Sequence, residues 1–178
     1  MGTWSSGSQQ VLTGRNKGGM FYNPILKQFT VPPAAGISFS FTDDMYFEMA
    51  KVEYDSNSDD PRCFTAKLIW QHGKYESNGT SITMTPYKGD GAVQTLNPCK
   101  DEKHRVQMSN YAENEIVSNW STFIESQPAF MGDDTQSTYS LQMYAFDGRP
   151  YAKMYMAFNP PNMLPKEQIF QYVIGANS

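Results

Sequence analysis

Tyr139-Ser140-Leu141-Gln142-Met143-Tyr144-Ala145-Phe146-Asp147-Gly148 is the stretch that decides the fold class. Its side chains alternate between two sets with a period of two, which is the pattern of a β-strand that has two different faces. The Asp147-Gly148 pair at its end favours a tight hairpin, since both central residues of a type I′ turn need positive φ. We therefore predict a returning strand over residues 151–158. Asn159-Pro160-Pro161 should end it, because proline cannot donate to a strand ladder.

The same period of two recurs on both sides of this hairpin. It is seen in residues 37–42, 46–54, 64–71, 81–85 and 119–124. We predict one all-β domain over residues 1–178, with about eight to ten antiparallel strands. Little helix is expected, at most short pieces at 112–117 and 165–173. Two architectures satisfy this pattern, a single lipocalin-like β-barrel or a closely related β-sandwich.

The alternating faces also predict the core. We expect the buried set to include Trp4, Phe39, Leu68, Trp70 and Leu141. Gly2-Thr3-Trp4 at the start of the chain looks like the motif that opens lipocalin-type barrels, where the tryptophan plugs one end. A tryptophan on an ordinary first strand explains the same residues equally well.

The bulk properties limit the partners and the environment. The 178 residues carry a net charge of −4, and no cluster of Lys and Arg is visible, so a nucleic-acid partner is not expected. No run of 18 apolar residues is present, and no signal-peptide pattern, so we interpret the chain as an excised domain. Asn78-Gly79-Thr80 and Asn119-Trp120-Ser121 are acceptor sequences for N-glycosylation. Together with two cysteines, Cys63 and Cys99, they favour an oxidising compartment.

Candidate chemistry is sparse in this sequence. His72 ends a predicted strand and His104 lies in a charged loop, and we interpret both as structural or solvated residues. Two Cys and two His with no C-x-x-C spacing make a zinc site improbable. The adjacent carboxylate pairs Asp43-Asp44, Asp59-Asp60 and Asp133-Asp134 lie in turn-like stretches. No nucleophile with a matching base is evident, so we predict no catalytic residue and no cofactor.

Segments along nearly the whole chain resemble a known family. They begin with Gly2-Thr3-Trp4-Ser5-Ser6 and continue with Gly36-Ile37-Ser38-Phe39-Ser40-Phe41-Thr42. The most specific is Leu68-Ile69-Trp70-Gln71-His72-Gly73-Lys74-Tyr75, and the last is Asn159-Pro160-Pro161-Asn162-Met163-Leu164-Pro165. In these segments the chain resembles the fungal endoplasmic-reticulum chaperone family named for reversal of Tor lethality.

The resemblance implies a function and a location. Members of this family carry a signal peptide, a lumenal domain, a Ser-rich stalk and one C-terminal membrane span. They assist the folding of secretory proteins, and their loss depletes β-1,6-glucan in the cell wall and affects glycosylation. We therefore expect a non-catalytic chaperone that faces the lumen of the endoplasmic reticulum. Its partners would be unfolded secretory proteins and other folding and glycosylation factors, with the membrane reached through a C-terminal anchor.

The resemblance also sharpens the expectations for individual residues. Cys63 and Cys99 should form a disulfide, and Asn78 and Asn119 should carry glycans. An exposed apolar segment at Met163 and Leu164 is a candidate site for client proteins, since the neighbouring prolines keep it out of the sheet. The same two residues could instead cap one end of the barrel. Two other functions stay open at this point, a glucan-processing enzyme and a lipocalin-like carrier of an apolar ligand.

Overall fold

A computed structural model describes residues 1–132 and 135–170 of the chain. Within those residues the structure is almost entirely β, and the single helix described is a 3₁₀ turn at Ala129–Met131. The strands are β1 (Gly2–Ser6), β2 (Arg15–Asn16), β3 (Gly19–Met20), β4 (Tyr22–Asn23), β5 (Gln28–Phe29), β6 (Gly36–Phe41), β7 (Tyr46–Asp55), β8 (Thr65–Ser77), β9 (Ile82–Pro86), β10 (Ala92–Leu96), β11 (Val106–Asn110), β12 (Glu115–Ser126), β13 (Ser137–Ala145) and β14 (Met154–Phe158).

Ten of these strands form one antiparallel sheet, in the order β11-β10-β8-β7-β6-β1-β14-β13-β12-β9. An additional pairing between β8 and β9 closes eight of them into a ring with a sandwich-like shape. β10 and β11 extend from β8 as a ribbon outside that ring. β2 with β3 and β4 with β5 form two small separate ribbons. The prediction of an all-β antiparallel domain of about eight to ten strands is confirmed.

β8 can close the ring because it is long enough to pair with two strands along one side. Residues 66–70 pair with β10, and residues 73–77 pair with β9. Gly73 lies at the beginning of the second stretch, where a Cβ atom would come within 2.2 Å of the Thr85 carbonyl oxygen. Glycine is therefore required at this position so that the backbone of β9 can approach β8 closely.

The core consists of two apolar clusters on opposite faces of β7 and β8. One cluster contains Trp4, Phe39 and Leu141 and is built from residues of the strands that form the ring. The other contains Leu68 and Trp70 and lies beneath the segments around residues 11–29 and Leu164. All five residues expected in the core are buried, as predicted. The sequence pattern predicts that these residues are buried, but it does not show that they belong to two separate clusters.

The hairpin after β13 forms, but its turn differs from the prediction. Gly148 has a φ of 84°, whereas Asp147 is not among the residues with positive φ. The Gly148 N–H donates to the Ala145 carbonyl, and the Ala145 N–H donates to the Arg149 carbonyl. Residues 146–148 therefore form a three-residue hairpin loop, in which a type I turn is followed by one residue with positive φ, here Gly148. Such a loop does not need the type I′ geometry that the sequence analysis predicted. Pro150 and Tyr151 already pair with β13 after this turn, through a bridge to Tyr144 and a bond from the Tyr151 N–H to the Met143 carbonyl, but the regular strand β14 begins at Met154 rather than at residue 151.

The short helices suggested by the sequence are not formed. Residues 112–114 have no regular structure, and Val117 is buried within β12. Residues 165–170 contain bends and irregular backbone without helix, and 171–173 lie outside the described residues. At residues 115–117 the pairing of β12 with β9 overrides any local preference for helix.

Candidate functional site

The exit segment after β14 is the client site suggested by the sequence, and the structure places it against the sheet. Leu164 is only 8% exposed and packs in the second apolar cluster, while Met163 is half-buried. The Asn162 carbonyl accepts hydrogen bonds from the hydroxyls of Thr3, Thr13 and Ser40, at 3.1, 3.2 and 3.0 Å. Leu164 therefore does not face outward, and of the two alternatives left open by the sequence, a client site or a cap, its burial fits the second. This segment covers the sheet instead.

A buried carboxylate fixes the same segment. Glu48 of β7 accepts the Leu164 N–H and the Gly14 N–H, each at 2.6 Å, and its side chain is fully buried. Burial raises the pKa of Glu48 from 4.5 to about 7, although both N–H groups and the Trp70 side chain favour the charged form. Glu48 thus joins the start and the end of the described chain to the centre of the sheet.

His72 and Asp90 hold the end of the described chain in the same way. His72 Nε2 lies 2.6 Å from Asp90 Oδ2, and both side chains are completely buried. Asp90 also accepts the N–H groups of Ile169 and Phe170, each at 2.7 Å. Burial lowers the pKa of His72 below 6.5, and Asp90 opposes that shift. The interpretation of His72 as a structural residue fits these contacts.

The sequence analysis missed Glu48 and Asp90, although one signal was present. Glu48 interrupts a face that otherwise carries Tyr46, Ala50 and Val52, and a charged residue on a buried face must have hydrogen-bonding partners. Its partners are 34 and 116 residues away in the sequence, so no local pattern could name them. Asp90 lies in a short loop between β9 and β10, where an aspartate is ordinarily solvated.

The two cysteines are joined and the two glycosylation acceptors are accessible. Cys63 and Cys99 form a disulfide with a Cα–Cα distance of 5.3 Å, which ties the loop after β10 to the segment before β8. The side chains of Asn78 and Asn119 are both exposed. Asn78 accepts the N–H groups of Thr80 and Ser81, which places it in a tight turn between β8 and β9.

The two carboxylate pairs that lie within the described residues do not come together. Asp43-Asp44 and Asp59-Asp60 lie in separate turns, and Asp44 and Asp60 are paired with Lys166 and Arg62. His104 forms an exposed pair with Asp101 at 2.7 Å. Asp133-Asp134 lies outside the described residues.

A cleft of about 810 Å³ opens between the start of β6, the middle of β7, the start of β12 and the hairpin residues 145–152. Its carboxylates already have partners: Glu53 is 2.7 Å from Lys51, and Glu115 accepts the Tyr151 hydroxyl at 2.7 Å. Arg149 also lines the cleft. A carrier of an apolar ligand needs an apolar pocket with few polar groups, whereas this cleft mixes apolar side chains with four charged ones, Lys51, Glu53, Glu115 and Arg149.

Two other surfaces expose large apolar side chains. The first is the open end of β12 and β13, where Ile124 and Tyr139 are cross-strand neighbours and are 68% and 49% exposed. We call these two residues the β12–β13 patch. Phe123 and Phe130 are also exposed at this end but on the opposite face of the sheet, because neighbouring residues of a strand point to opposite faces and Phe130 packs against Tyr155 on the face of Phe123. Isolated exposed apolar residues are common, but several together are typical of an interaction surface.

The second surface is β11, at the outer edge of the ten-stranded sheet. All five of its residues are exposed, and Val106 and Met108 are its large apolar side chains. Among the ten strands of the sheet, β11 is the one whose described pairings involve a single neighbour, β10. A hollow of about 380 Å³ lies beside it, lined by Met108, Tyr22 and Lys27 among others.

A model of a fungal protein family, described as a chaperone for protein folding within the endoplasmic reticulum, matches residues 1–174. The chain is 39% identical to Protein ROT1 of Candida glabrata over 171 residues, which are 95% of this chain and 60% of that protein. It is 37% identical to Protein rot1 of Schizosaccharomyces pombe over 170 residues, covering 95% of this chain and 67% of that protein. For Protein ROT1 of Saccharomyces cerevisiae S288c the identity is 36%, with 94% and 61% covered.

The chain thus spans about 60% of the length of the first of these relatives. No solved structure matches the chain. The family match covers every described strand and both core clusters, so the resemblance extends to the whole β domain.

Proposed function

The chain belongs to the Rot1 family of fungal chaperones for protein folding within the endoplasmic reticulum, and from this premise we propose that its β domain itself binds folding proteins. The observation that carries the proposal is the family match over residues 1–174, which coincides with the described domain. The clients are secretory and cell-wall-synthesis proteins, held transiently and released without covalent chemistry. Other folding and glycosylation factors of the endoplasmic reticulum work beside it.

The surface of the domain supports a binding role of this kind. Unfolded proteins share no fixed pattern of polar groups, but all of them expose apolar side chains and unpaired backbone. Burial of apolar surface contributes about 25 cal/mol per Å², so contact over a few hundred Å² gives reversible binding. The β12–β13 patch offers apolar surface, and β11 offers both apolar side chains and backbone.

We propose further that the domain faces the lumen of the endoplasmic reticulum. The Cys63–Cys99 disulfide suits an oxidising compartment. The exposure of Asn78 and Asn119 suits glycan attachment. Within residues 1–132 and 135–170, no helix has the length and hydropathy that a bilayer crossing requires. In the proposal, membrane attachment comes from a C-terminal anchor outside this chain.

Glycan attachment can be tested in protein made by a fungal host. Treatment with an endoglycosidase should increase the electrophoretic mobility of the secreted domain. Asn78→Gln and Asn119→Gln should each remove one part of that shift. The same domain produced in bacteria, which do not add these glycans, is the reference. If the untreated fungal protein has the same electrophoretic mobility as that reference, both glycosylation sites are rejected.

The proposal extends to the cell wall through the clients. Normal β-1,6-glucan would depend on this protein because enzymes of glucan synthesis need it for folding. A glucan-processing enzyme would instead act on the polymer directly. Incubation of the purified domain with β-1,6-glucan distinguishes the two, because release of reducing sugar would support the enzyme and contradict the proposal.

The chaperone activity itself is tested by light scattering. Reduced α-lactalbumin aggregates when its disulfides are broken, and the purified domain should delay and reduce that aggregation as its concentration rises. Serum albumin at the same mass concentration is the control for crowding. Equal scattering in the presence of the domain and of albumin would contradict a chaperone activity of this domain.

A further inference from the structure

Among the strands that the structure describes, only β10 pairs with β11, so the other side of the β11 backbone is an open hydrogen-bonding edge. At one end of the β10–β11 ladder, the Asn97 N–H donates to the Arg105 carbonyl at 2.8 Å. At the other end, the Tyr111 N–H donates to the Gly91 carbonyl at 3.0 Å. In an antiparallel ladder the residues that bond to the neighbour alternate with residues whose N–H and C=O point away. Since residues 105 and 111 bond inward, Val106, Met108 and Asn110 direct their backbone groups outward.

The side chains of β11 suit the same role. In register, Met108 lies opposite Gln94, which lies opposite Leu68 of the second apolar cluster. Side chains directly opposite one another point to the same face of a sheet, so Val106 and Met108 continue the face that this cluster occupies. The segments around residues 11–29 cover Leu68, whereas Met108 remains 40% exposed. The hollow beside Met108 leaves room for a side chain from a partner.

β11 also lacks the features that protect free edges in other proteins. Such edges usually carry a charged residue or a proline, or contain a bulge, because an open edge recruits other chains. The sequence Val-Gln-Met-Ser-Asn has no charge and no proline, and its register with β10 shows no shift. The cations Lys103 and Arg105 precede the strand rather than interrupt it.

We propose that β11 is the client-binding edge of this domain, where an extended segment of unfolded polypeptide adds as a further antiparallel strand. The outward N–H and C=O groups recur every two residues, and only another extended backbone matches that spacing. Backbone pairing is independent of client sequence, while Val106, Met108 and the neighbouring hollow favour apolar residues at alternate positions. This inference rests on the proposed chaperone function and assigns that function to one edge.

The direct test uses a fluorescent peptide of alternating threonine and valine, together with a copy that is N-methylated at every residue, so that neither edge of the copy can donate backbone hydrogen bonds. Both peptides carry the same side chains, but the second cannot complete the backbone ladder. In fluorescence anisotropy, wild-type protein should bind the methylated peptide about tenfold more weakly, as expected for the loss of one to two net hydrogen bonds. Equal affinity for the two peptides would overturn the proposal without the need for any variant.

A pair of variants locates the site. Met108→Lys places a charge on the edge and should weaken peptide binding by about tenfold or more. Ile124→Lys is the matched control, because it places the same charge on the exposed β12–β13 patch and should leave binding unchanged. Thermal unfolding confirms that both variants are folded. A loss of binding in Ile124→Lys with retention in Met108→Lys would contradict the proposal.

The failure of this inference can be distinguished from failure of the proposed function. If wild type and Met108→Lys suppress α-lactalbumin aggregation equally, the chaperone function stands and the β11 assignment is wrong. If wild type dimerises in analytical ultracentrifugation and Met108→Lys does not, the edge serves a second copy of this chain, and the client assignment is wrong. A monomeric wild type that binds peptide and loses suppression with Met108→Lys supports the proposal.

Discussion

β9 and β10 pair with the same side of β8, yet they have opposite surroundings. β9 lies between β8 and β12, closes the ring, and has buried residues at every second position. β10 leads instead to β11, which is exposed along its whole length and has β10 as its single described neighbour. One strand therefore supports both a closed structure and an open edge. The comparison suggests that stability resides in the ring, while the ribbon is available for binding.

The strongest test of this division compares Trp70 with Met108. Trp70 is fully buried in the second cluster and contacts the rings of Tyr22 and His72. Trp70→Ala should lower the free energy of unfolding by about 3–5 kcal/mol, as for other large buried aromatic residues. Met108→Ala should change it by no more than about 0.5 kcal/mol, since that residue lies at an exposed edge. Urea denaturation measures both, and comparable losses would show that the ribbon is part of the stable core.

The disulfide is expected to matter nearly as much. The Cys63–Cys99 bond has a sequence separation of 36 residues. The chain-entropy model then gives a stabilisation of about 4 kcal/mol as an upper value. Because the bond anchors the loop between β10 and β11, its removal should loosen the ribbon before the ring. Cys63→Ser with Cys99→Ser should therefore increase hydrogen exchange in β11 more than in β9, and uniform exchange in both would contradict this order.

Gly73→Ala tests the closure of the ring. An added Cβ would lie 2.2 Å from the Thr85 carbonyl oxygen, so β9 must shift away from β8. Crowding of this kind usually costs about 1–3 kcal/mol. Gly79→Ala is the control for the chemical change, since Gly79 lies in the turn between the same strands and has no atom near the position of a Cβ. Gly79 has a φ of 91°, which strains alanine, so Gly79→Ala should itself lose some stability. A smaller loss of stability in Gly73→Ala than in Gly79→Ala would argue against crowding at residue 73.

The smallest expected effect is a change in the pH dependence of stability. The pKa of Glu48 is raised to about 7 in the folded state, so its contribution is present below pH 4.5 and is lost as pH rises through about 7. The pKa of His72 is lowered, so its contribution has the opposite sign and is lost as pH falls below 6.5. In the wild type the two slopes oppose each other.

Glu48→Gln removes one of these slopes. We expect the stability of this variant, measured by thermal unfolding between about pH 4.5 and pH 7, to rise with pH up to about 6.5. The reason is that the contribution of His72 is then no longer opposed by that of Glu48. The variant should also be less stable overall, since an amide cannot accept the N–H groups of Gly14 and Leu164 with both of its terminal atoms. An unchanged pH profile would mean that Glu48 keeps its ordinary pKa in the folded protein.

The sequence predicted which side chains of individual strands face the core. Period-two alternation identified the faces of β6, β7, β8 and β13, and Trp4, Phe39, Leu68, Trp70 and Leu141 were all found buried. Such patterns work because each face is determined by the alternation of neighbouring side chains. The turn at Gly148 was less predictable, because loop length and twist select the turn type together with the residues.

The ring closure and the free edge were not predictable in this way. β10 lacks a clear alternation of apolar and polar residues, and the alternation in β11 extends only over residues 106–109, so the sequence analysis identified neither strand. Whether a strand is closed or open depends on partners far away in the chain, such as β12 for β9. The position of Leu164 was left open for the same reason: the neighbouring prolines indicate that the segment leaves the sheet, but the Glu48 carboxylate that holds Leu164 lies 116 residues away in the sequence.

The most direct test of the account is amide hydrogen exchange of the domain with and without a bound unfolded client. Reduced carboxymethylated α-lactalbumin is a suitable client because it cannot refold. The account predicts that the outward amides of Val106, Met108 and Asn110 become protected when the client binds, while the amides of β9 keep their exchange rates. Protection confined to the β12–β13 patch, with β11 exchanging as it does in the free domain, would contradict it.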